Sequence, residues 1–291
     1  MAQKRKRFGD RKDGRRLRTI APKSMLAPFI MKDRNDALNY INEKIDVSHI
    51  QKYINNKKKE GLQGFSFMYV LLAAYVRGIS QRPAVNRFIS GQRVYARNKI
   101  EIAITIKEEM SIDSPDTVIK VTLPPDATVY DVYEAFEKEI RNYRENPTSD
   151  FDDVAKTLAK LPRPILRLVM KLLYFLDYHG WLPDSLLQVS PFHASLVITS
   201  MGSLGVPAIY HHLYNFGNAP LFIAFGKKYF ENKIYDDGSV KKKAYVDLKF
   251  VMDERICDGY YFASAFKLMK SILKNPEQLD EKPETVVEDI D

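Results

Sequence analysis

The sequence predicts an α/β domain in which a mixed β-sheet is covered by helices, and two observations point to it. A chain of 291 residues, 45% of them hydrophobic, is long enough to bury one substantial core. Along it, segments whose apolar residues alternate with polar ones are interspersed with segments of helical spacing, the mixture that packs helices onto sheets.

The elements follow in order. Asn35 to Ile45 and Val47 to Asn56 have helical composition. Phe65 to Ile79 sets Phe67, Leu71, Leu72 and Tyr75 at helical spacing and stops at Arg82-Pro83, since proline ends a helix. Val85 to Ala96 and Lys99 to Lys107 read as strands; in the second, Ile100, Ile102, Ile104 and Ile106 alternate with Glu101, Ala103 and Thr105, as in a sheet with one buried face. Thr117 to Leu123 is a further strand, closed by Pro124-Pro125. Thr128 and Asp131 have the spacing of a capping box and open a helix to about Arg144. Strands Leu221 to Phe230 and Lys243 to Asp253 are joined by a hairpin turn at Asp236-Asp237-Gly238. A last helix, about Tyr260 to Lys274, ends at Asn275-Pro276.

The net charge of +8 is unevenly spread. Residues 1 to 18 hold nine Lys/Arg against Asp10 and Asp13, and residues 277 to 291 hold seven acids against Lys282. We expect a basic flexible arm over 1–20, a single domain over 21–276 with an insertion at 162–190, and an acidic tail over 277–291, both ends solvated. The arm has one aromatic, Phe8, and lacks the interleaving that stacks bases, so nucleic acid is not the expected partner. Gly9 and Gly14 leave open an arm laid across a neighbouring subunit. A single cysteine, Cys257, excludes an internal disulfide and fits the cytoplasm. No secretory leader and no membrane-spanning apolar run is read, so a soluble protein is expected. Metal-spaced Cys/His clusters, phosphate-binding glycine loops, repeats and a lipoyl-type module are all missing from the sequence.

In the last strand Ala244, Val246, Leu248, Phe250 and Met252 occupy even positions, while Asp247, Lys249 and Asp253 occupy odd ones. Parity therefore puts Glu254 on the buried face, where lost hydration would raise its pKa. A raised carboxylate suits a general base; a structural ion pair is the alternative.

The run Asp253-Glu254-Arg255-Ile256-Cys257-Asp258-Gly259 resembles the D-H-R-x-x-D-G motif of the dihydrolipoyl acyltransferases of 2-oxoacid dehydrogenase complexes and the H-x-x-x-D-G motif of chloramphenicol acetyltransferases, with Glu254 at the histidine position. Val197 to Gly205 is similar to their oxyanion strand and loop, Ala219 to Phe230 to the strand before the histidine strand, and Asp33 to Leu38 to the start of the first acetyltransferase helix. The likeness spans roughly Ile30 to Asn275.

The resemblance implies a chloramphenicol acetyltransferase-like two-layer fold and a homotrimer with sites between subunits. It implies coenzyme A-dependent acyl transfer to a small molecule or a lipoyl group, with coenzyme A or acyl-coenzyme A as substrate and no covalently bound cofactor. Carried over, Glu254 takes the base position and Thr199 or Ser200 donates to the oxyanion. Asp258 pairs with Arg34, and Gly259 makes the turn before the last helix. His211 and His212 stay open as replacement bases. A catalytically inactive trimer that binds a ligand or partner is the alternative from another class.

Residues 152 to 190 depart from that pattern. Ile165, Leu166, Leu168, Val169, Leu172, Leu173, Phe175 and Leu176 form a broad apolar surface, and Arg163, Arg167 and Lys171 line the opposite stripe. Three placements stay open for this helix: packed on the core or a subunit partner, capping an acyl pocket, or lying on a membrane.

Overall fold

The computed structural model describes residues 7–107, 116–145 and 150–291. Lys4, Arg5 and Lys6 of the basic arm lie outside the described residues. In chain order the elements are β1 (Gly14–Arg16), α1 (Pro22–Ile30), β2 (Leu38–Asp46), α2 (Ser48–Lys59), α3 (Phe67–Gln81), β3 (Arg87–Ser90), β4 (Arg93–Arg97), β5 (Ile100–Lys107), β6 (Asp116–Leu123) and α4 (Val129–Glu145). Then come α5 (Asp150–Ala159), α6 (Arg163–His179), α7 (Asp184–Val189), β7 (Leu196–Ser200), β8 (Leu221–Phe225), β9 (Tyr229–Ile234), β10 (Val240–Asp253) and α8 (Gly259–Lys274).

The main sheet runs β2-β10-β8-β7-β5-β6, with β9 also paired to β10. β7 is parallel to both β5 and β8, and the remaining pairs are antiparallel, so the expected mixed sheet is present. A small second sheet, β1-β4-β3, stands apart. The core lies on one face of the main sheet, where Ile102, Ile104, Ile198, Ile223, Leu248 and Phe250 meet α3, α4 and α8 through residues such as Leu71, Leu72, Phe136 and Phe262. At the start of α4, Thr128 N donates to the Asp131 carboxylate and Asp131 N donates to Thr128 Oγ1, the reciprocal cap expected.

Three elements differ from expectation. Residues 38–45, expected as helix, lie in strand β2. Leu38, Ile41 and Ile45 do have helical spacing, but nine consecutive pairs with β10 satisfy the backbone of both strands and override it. The strand expected over Val85 to Ala96 is a hairpin, broken at Gly91-Gln92, where both residues have positive φ. The strand expected over Leu221 to Phe230 breaks between β8 and β9. Tyr245 pairs with Asp46 on one side and Tyr229 on the other, so β9 lies on the β8 side of β10. The expected turn at Asp236-Asp237-Gly238 closes the β9–β10 hairpin.

The charged ends also differ from the solvated arm and tail expected. Gly14–Arg16 pairs with β4, where a Cβ on Gly14 would come within 2.5 Å of the Phe88 ring, so only glycine lets the strand lie there. The acidic end folds back onto the same region. Arg87 holds Asp289 through two hydrogen bonds of 2.6 and 2.7 Å, Arg7 and Arg15 reach Asp291, and the Asp291 carbonyl accepts from the amides of Arg18 and Thr19. Segments of opposite charge neutralise each other instead of being separately hydrated.

Helix α6 is held to the body through a buried charge. Asp177 is the only residue of α6 that is buried. It takes a 2.9 Å hydrogen bond from Arg11, and its Oδ1 lies 3.2 Å from His193 Nε2. Burial pushes the Asp177 carboxyl up, but His193 and Arg11 outweigh this and hold it at about 2. Nearby, Lys120 donates to the carbonyls of Leu187 and His193, and burial lowers its pKa to about 8.

Candidate functional site at the end of β10

The motif run begins on the last residue of β10. Phe250 to Asp253 are all buried, so the alternation of the strand stops at Phe250, three residues before the strand does. Asp253 is 1% exposed and faces two guanidinium groups. Arg255 binds it bidentately at 2.8 and 2.7 Å, a geometry its planar fork favours, and also donates to the carbonyls of Met31 and Lys32. Arg34 Nε lies 3.4 Å from the same carboxylate, while its other nitrogens donate to the carbonyls of Tyr214 and Gly217. Burial lowers the Arg34 pKa, with Asp253 opposing the shift.

This corrects the expected partnership. Arg34 pairs with Asp253, and Asp258 is exposed and caps α8, accepting from Tyr261 N at 2.9 Å. A carboxylate at the N-cap serves the orphan amides of the helix, and the buried arginine takes the nearer anion. Gly259 opens α8 where an added Cβ would meet open space, so no tight turn requires it. Cys257 is partly buried, and burial pushes its thiol up, which suits packing against the core better than reaction.

Glu254 is exposed, contrary to the parity reading. The strand has ended, its amide donates to the Ala37 carbonyl, and its side chain turns out to accept a 2.8 Å hydrogen bond from Asn39. Among the described residues no cation pairs with it. It is thus a free carboxylate on a backbone fixed by the buried charge cluster beside it.

Thr199 and Ser200 close β7 and are half-buried. Ser200 Oγ accepts from Ser203 N at 3.3 Å. The loop that follows crosses Gly226 so closely that a Cβ on Gly202 would lie 2.7 Å from the Gly226 carbonyl oxygen. Register places this end of the sheet far from Glu254. Thr199 is level with Ala224, and Ala224 with Lys249. Glu254 is five residues further along, about 16 Å at the usual strand rise. Within one chain the oxyanion candidates and the carboxylate do not meet.

His211 and His212 lie on the segment that crosses the other face of the sheet. The His211 ring stacks on Phe222 at 4.3 Å, and its pKa is lowered by burial and then by His212. His212 is exposed and meets Tyr214 edge-on. Phe222 is level with Val251, so His211 lies over the sheet short of Glu254. Among the described residues no group of three or more His, Cys, Asp or Glu could hold a metal ion.

Asp253 as the buried anchor was missed in the sequence, although its i, i+2 relation to Arg255 was visible there. Nothing in the sequence pointed to Asp177 and Arg11.

Among solved structures, a probable dihydrolipoamide acetyltransferase from Listeria monocytogenes superimposes with a TM-score of 0.56 at 14% identity, covering 94% of this chain and 99% of that one. A truncated catalytic core of the 2-oxoacid dehydrogenase multienzyme complex from Thermoplasma acidophilum gives 0.54 at 15% identity, covering 89% and 98%. The fold is the one these catalytic domains share. A chloramphenicol acetyltransferase gives 0.50 at 12% identity, covering 86% and 94%. No family model matches the sequence, and no curated protein does. The likeness is therefore one of fold, and the two-layer fold expected from the sequence is present. Among the described residues no helix is long and apolar enough to cross a membrane.

Proposed function

We propose that the protein is a coenzyme A-dependent acyltransferase whose site is completed between copies of a homotrimer, with Glu254 from one copy and Thr199 or Ser200 from another. The observation that carries this is Glu254 itself, an exposed carboxylate without a cationic partner, held at the end of the motif strand by the buried Asp253 cluster. The β9–β10 hairpin supports association. Residues 240–244 of β10 extend past the pairing with β2, and Phe230, Ile234 and Val240 are exposed along the hairpin.

In the reaction, Glu254 takes the proton from an acceptor thiol or hydroxyl, and the freed sulfur or oxygen attacks the thioester carbonyl. The Thr199 or Ser200 hydroxyl donates to the oxyanion. The C–S bond then breaks, and the coenzyme A thiolate leaves and recovers the proton. A facing subunit would also remove water from Glu254, raising its basicity toward neutrality.

An inactive binding trimer is the second reading, favoured by the exposure of Glu254 among the described residues. The test follows coenzyme A thiol release from acetyl-coenzyme A in the presence of small thiol and dihydrolipoyl acceptors, comparing wild type, Glu254→Gln and Thr199→Ala/Ser200→Ala. Each variant should be inactive alone at unchanged oligomer size, and co-refolded mixtures should regain part of the activity, because mixed trimers contain intact sites. Turnover unchanged in Glu254→Gln would remove it as the base, and no thiol release from wild type would favour the inactive reading.

A further inference from the structure

The surface of α6 divides into three stripes. Leu166, Val169, Met170, Leu173 and Leu176 are half-buried toward the protein. Arg163, Arg167 and Lys171 form an exposed row at i, i+4 spacing, and among the described residues none has an acidic partner. Between these lies an apolar stripe at i, i+3, i+7, i+10: Ile165 (49% exposed), Leu168 (68%), Leu172 (54%) and Phe175 (51%). It ends in Trp181, 62% exposed and in contact with Phe175 and His179.

The helix cannot roll to hide this stripe. Asp177 ties it to Arg11 and His193, Tyr178 donates to Gln92, and the Tyr174 ring meets Phe216. Its one acid, Asp177, is buried, so the exposed surface of the helix carries cations and no anion. With a single buried residue in seventeen, α6 stands on the body as a convex ridge, which a peptide-sized partner has no groove to enter. A second copy apposed about a twofold axis would set Arg163, Arg167 and Lys171 against their own kind; the head-to-tail contact of a trimer is decided by the oligomer-size arm of the test below. A soft anionic layer satisfies both stripes: its headgroups take the cations, its acyl region takes the leucines and phenylalanine, and tryptophan sits at the boundary.

We propose that α6 is a membrane-docking helix that lies in the plane of an anionic lipid surface. The inference is independent of acyl transfer and does not require Glu254. It is tested by sedimentation of the full chain with vesicles of phosphatidylcholine alone and of phosphatidylcholine with phosphatidylglycerol in a two-to-one ratio. Binding should require the anionic lipid and weaken with salt. A basic residue near such a surface contributes about fivefold to partitioning, so Arg163→Glu/Arg167→Glu/Lys171→Glu should lower binding by at least about a hundredfold. Leu168→Ser/Leu172→Ser, which alters only exposed side chains, should lower it about tenfold or more at unchanged circular dichroism. Trp181 fluorescence should shift to the blue on binding in wild type and not in these variants. Wild type that ignores anionic vesicles at low salt overturns the proposal, as does binding that both variants retain, which would place it on the basic segment near residue 7. A loss of oligomer size in Leu168→Ser/Leu172→Ser would likewise overturn it, assigning the stripe to a second copy of the chain.

Discussion

Asp253 and Asp177 are each buried carboxylates set between two basic side chains, yet the chain reaches them by different routes. Asp253 meets Arg255 two residues away and Arg34 on the entry to β2. Asp177 meets Arg11, separated by 166 residues, and His193. The first cluster fixes the strand end that carries Glu254, and the second pins α6 to the small sheet. Local charge pairs of this kind build the motif, and distant ones attach a surface helix.

The comparison can be broken at either carboxylate. The largest effect is expected for Asp253→Asn, which leaves two buried guanidinium groups without their anion; a loss of about 4–5 kcal/mol in urea unfolding is expected. Thiol release should fall with it, because the backbone of Glu254 loses its anchor. A loss under about 1 kcal/mol would mean that the arginines are held by the carbonyls of Tyr214, Gly217 and Met31 alone.

Asp177→Asn should cost about 2–3 kcal/mol at neutral pH and act locally, raising amide exchange in residues 163–179 while sparing β10. Its pH dependence carries a sign. The folded pKa, about 2, is below the ordinary carboxylate value, so the stabilisation is complete above about pH 4 and is lost as pH falls toward 2. Urea midpoints from pH 5 to 2.5 should fall less steeply for the variant than for wild type. Equal slopes would show that Asp177 contributes nothing to the acid limb.

A change outside both clusters gives the scale. Gly78 lies within α3 beside an apolar cavity of about 40 Å³ lined by Tyr75, Phe250, Met252 and Phe266, and an added Cβ would meet nothing within 4 Å. Gly78→Ala should stabilise by about 0.5–1 kcal/mol, read as a higher urea midpoint at unchanged slope. The smallest effect belongs to Glu254→Gln. Next to the residue whose loss is the most damaging, it should change stability by less than about 0.5 kcal/mol, because only an exposed bond to Asn39 is altered.

Where burial and pairing follow from neighbours in sequence, the reading held. The strand of β5, the cap of α4, the hairpin at Gly238 and the motif run were legible because each depends on residues within a few positions of one another. The apolar stripe of α6 was also legible, though the sequence could not say what faces it. Reading failed where a remote partner decides. β2 kept a helical spacing and became a strand because β10 offered nine pairing positions. Parity misplaces Glu254 on the inner face because alternation ends at Phe250, where Val251 and Asp253 are covered from the other side by Leu213 and Arg34. The two charged ends looked separately solvated because composition does not show that a +7 segment and a −6 segment share one site.

That shared site makes two segments remote in sequence respond as one. Arg7 and Asp291 touch across 284 positions, at 2.6 Å, beside the small sheet. Both side chains are about half exposed, so dissolved salt screens their attraction, whereas the Arg87–Asp289 pair is largely covered. Raising the ionic strength should therefore loosen the outer contacts of both segments together and leave β1 paired with β4.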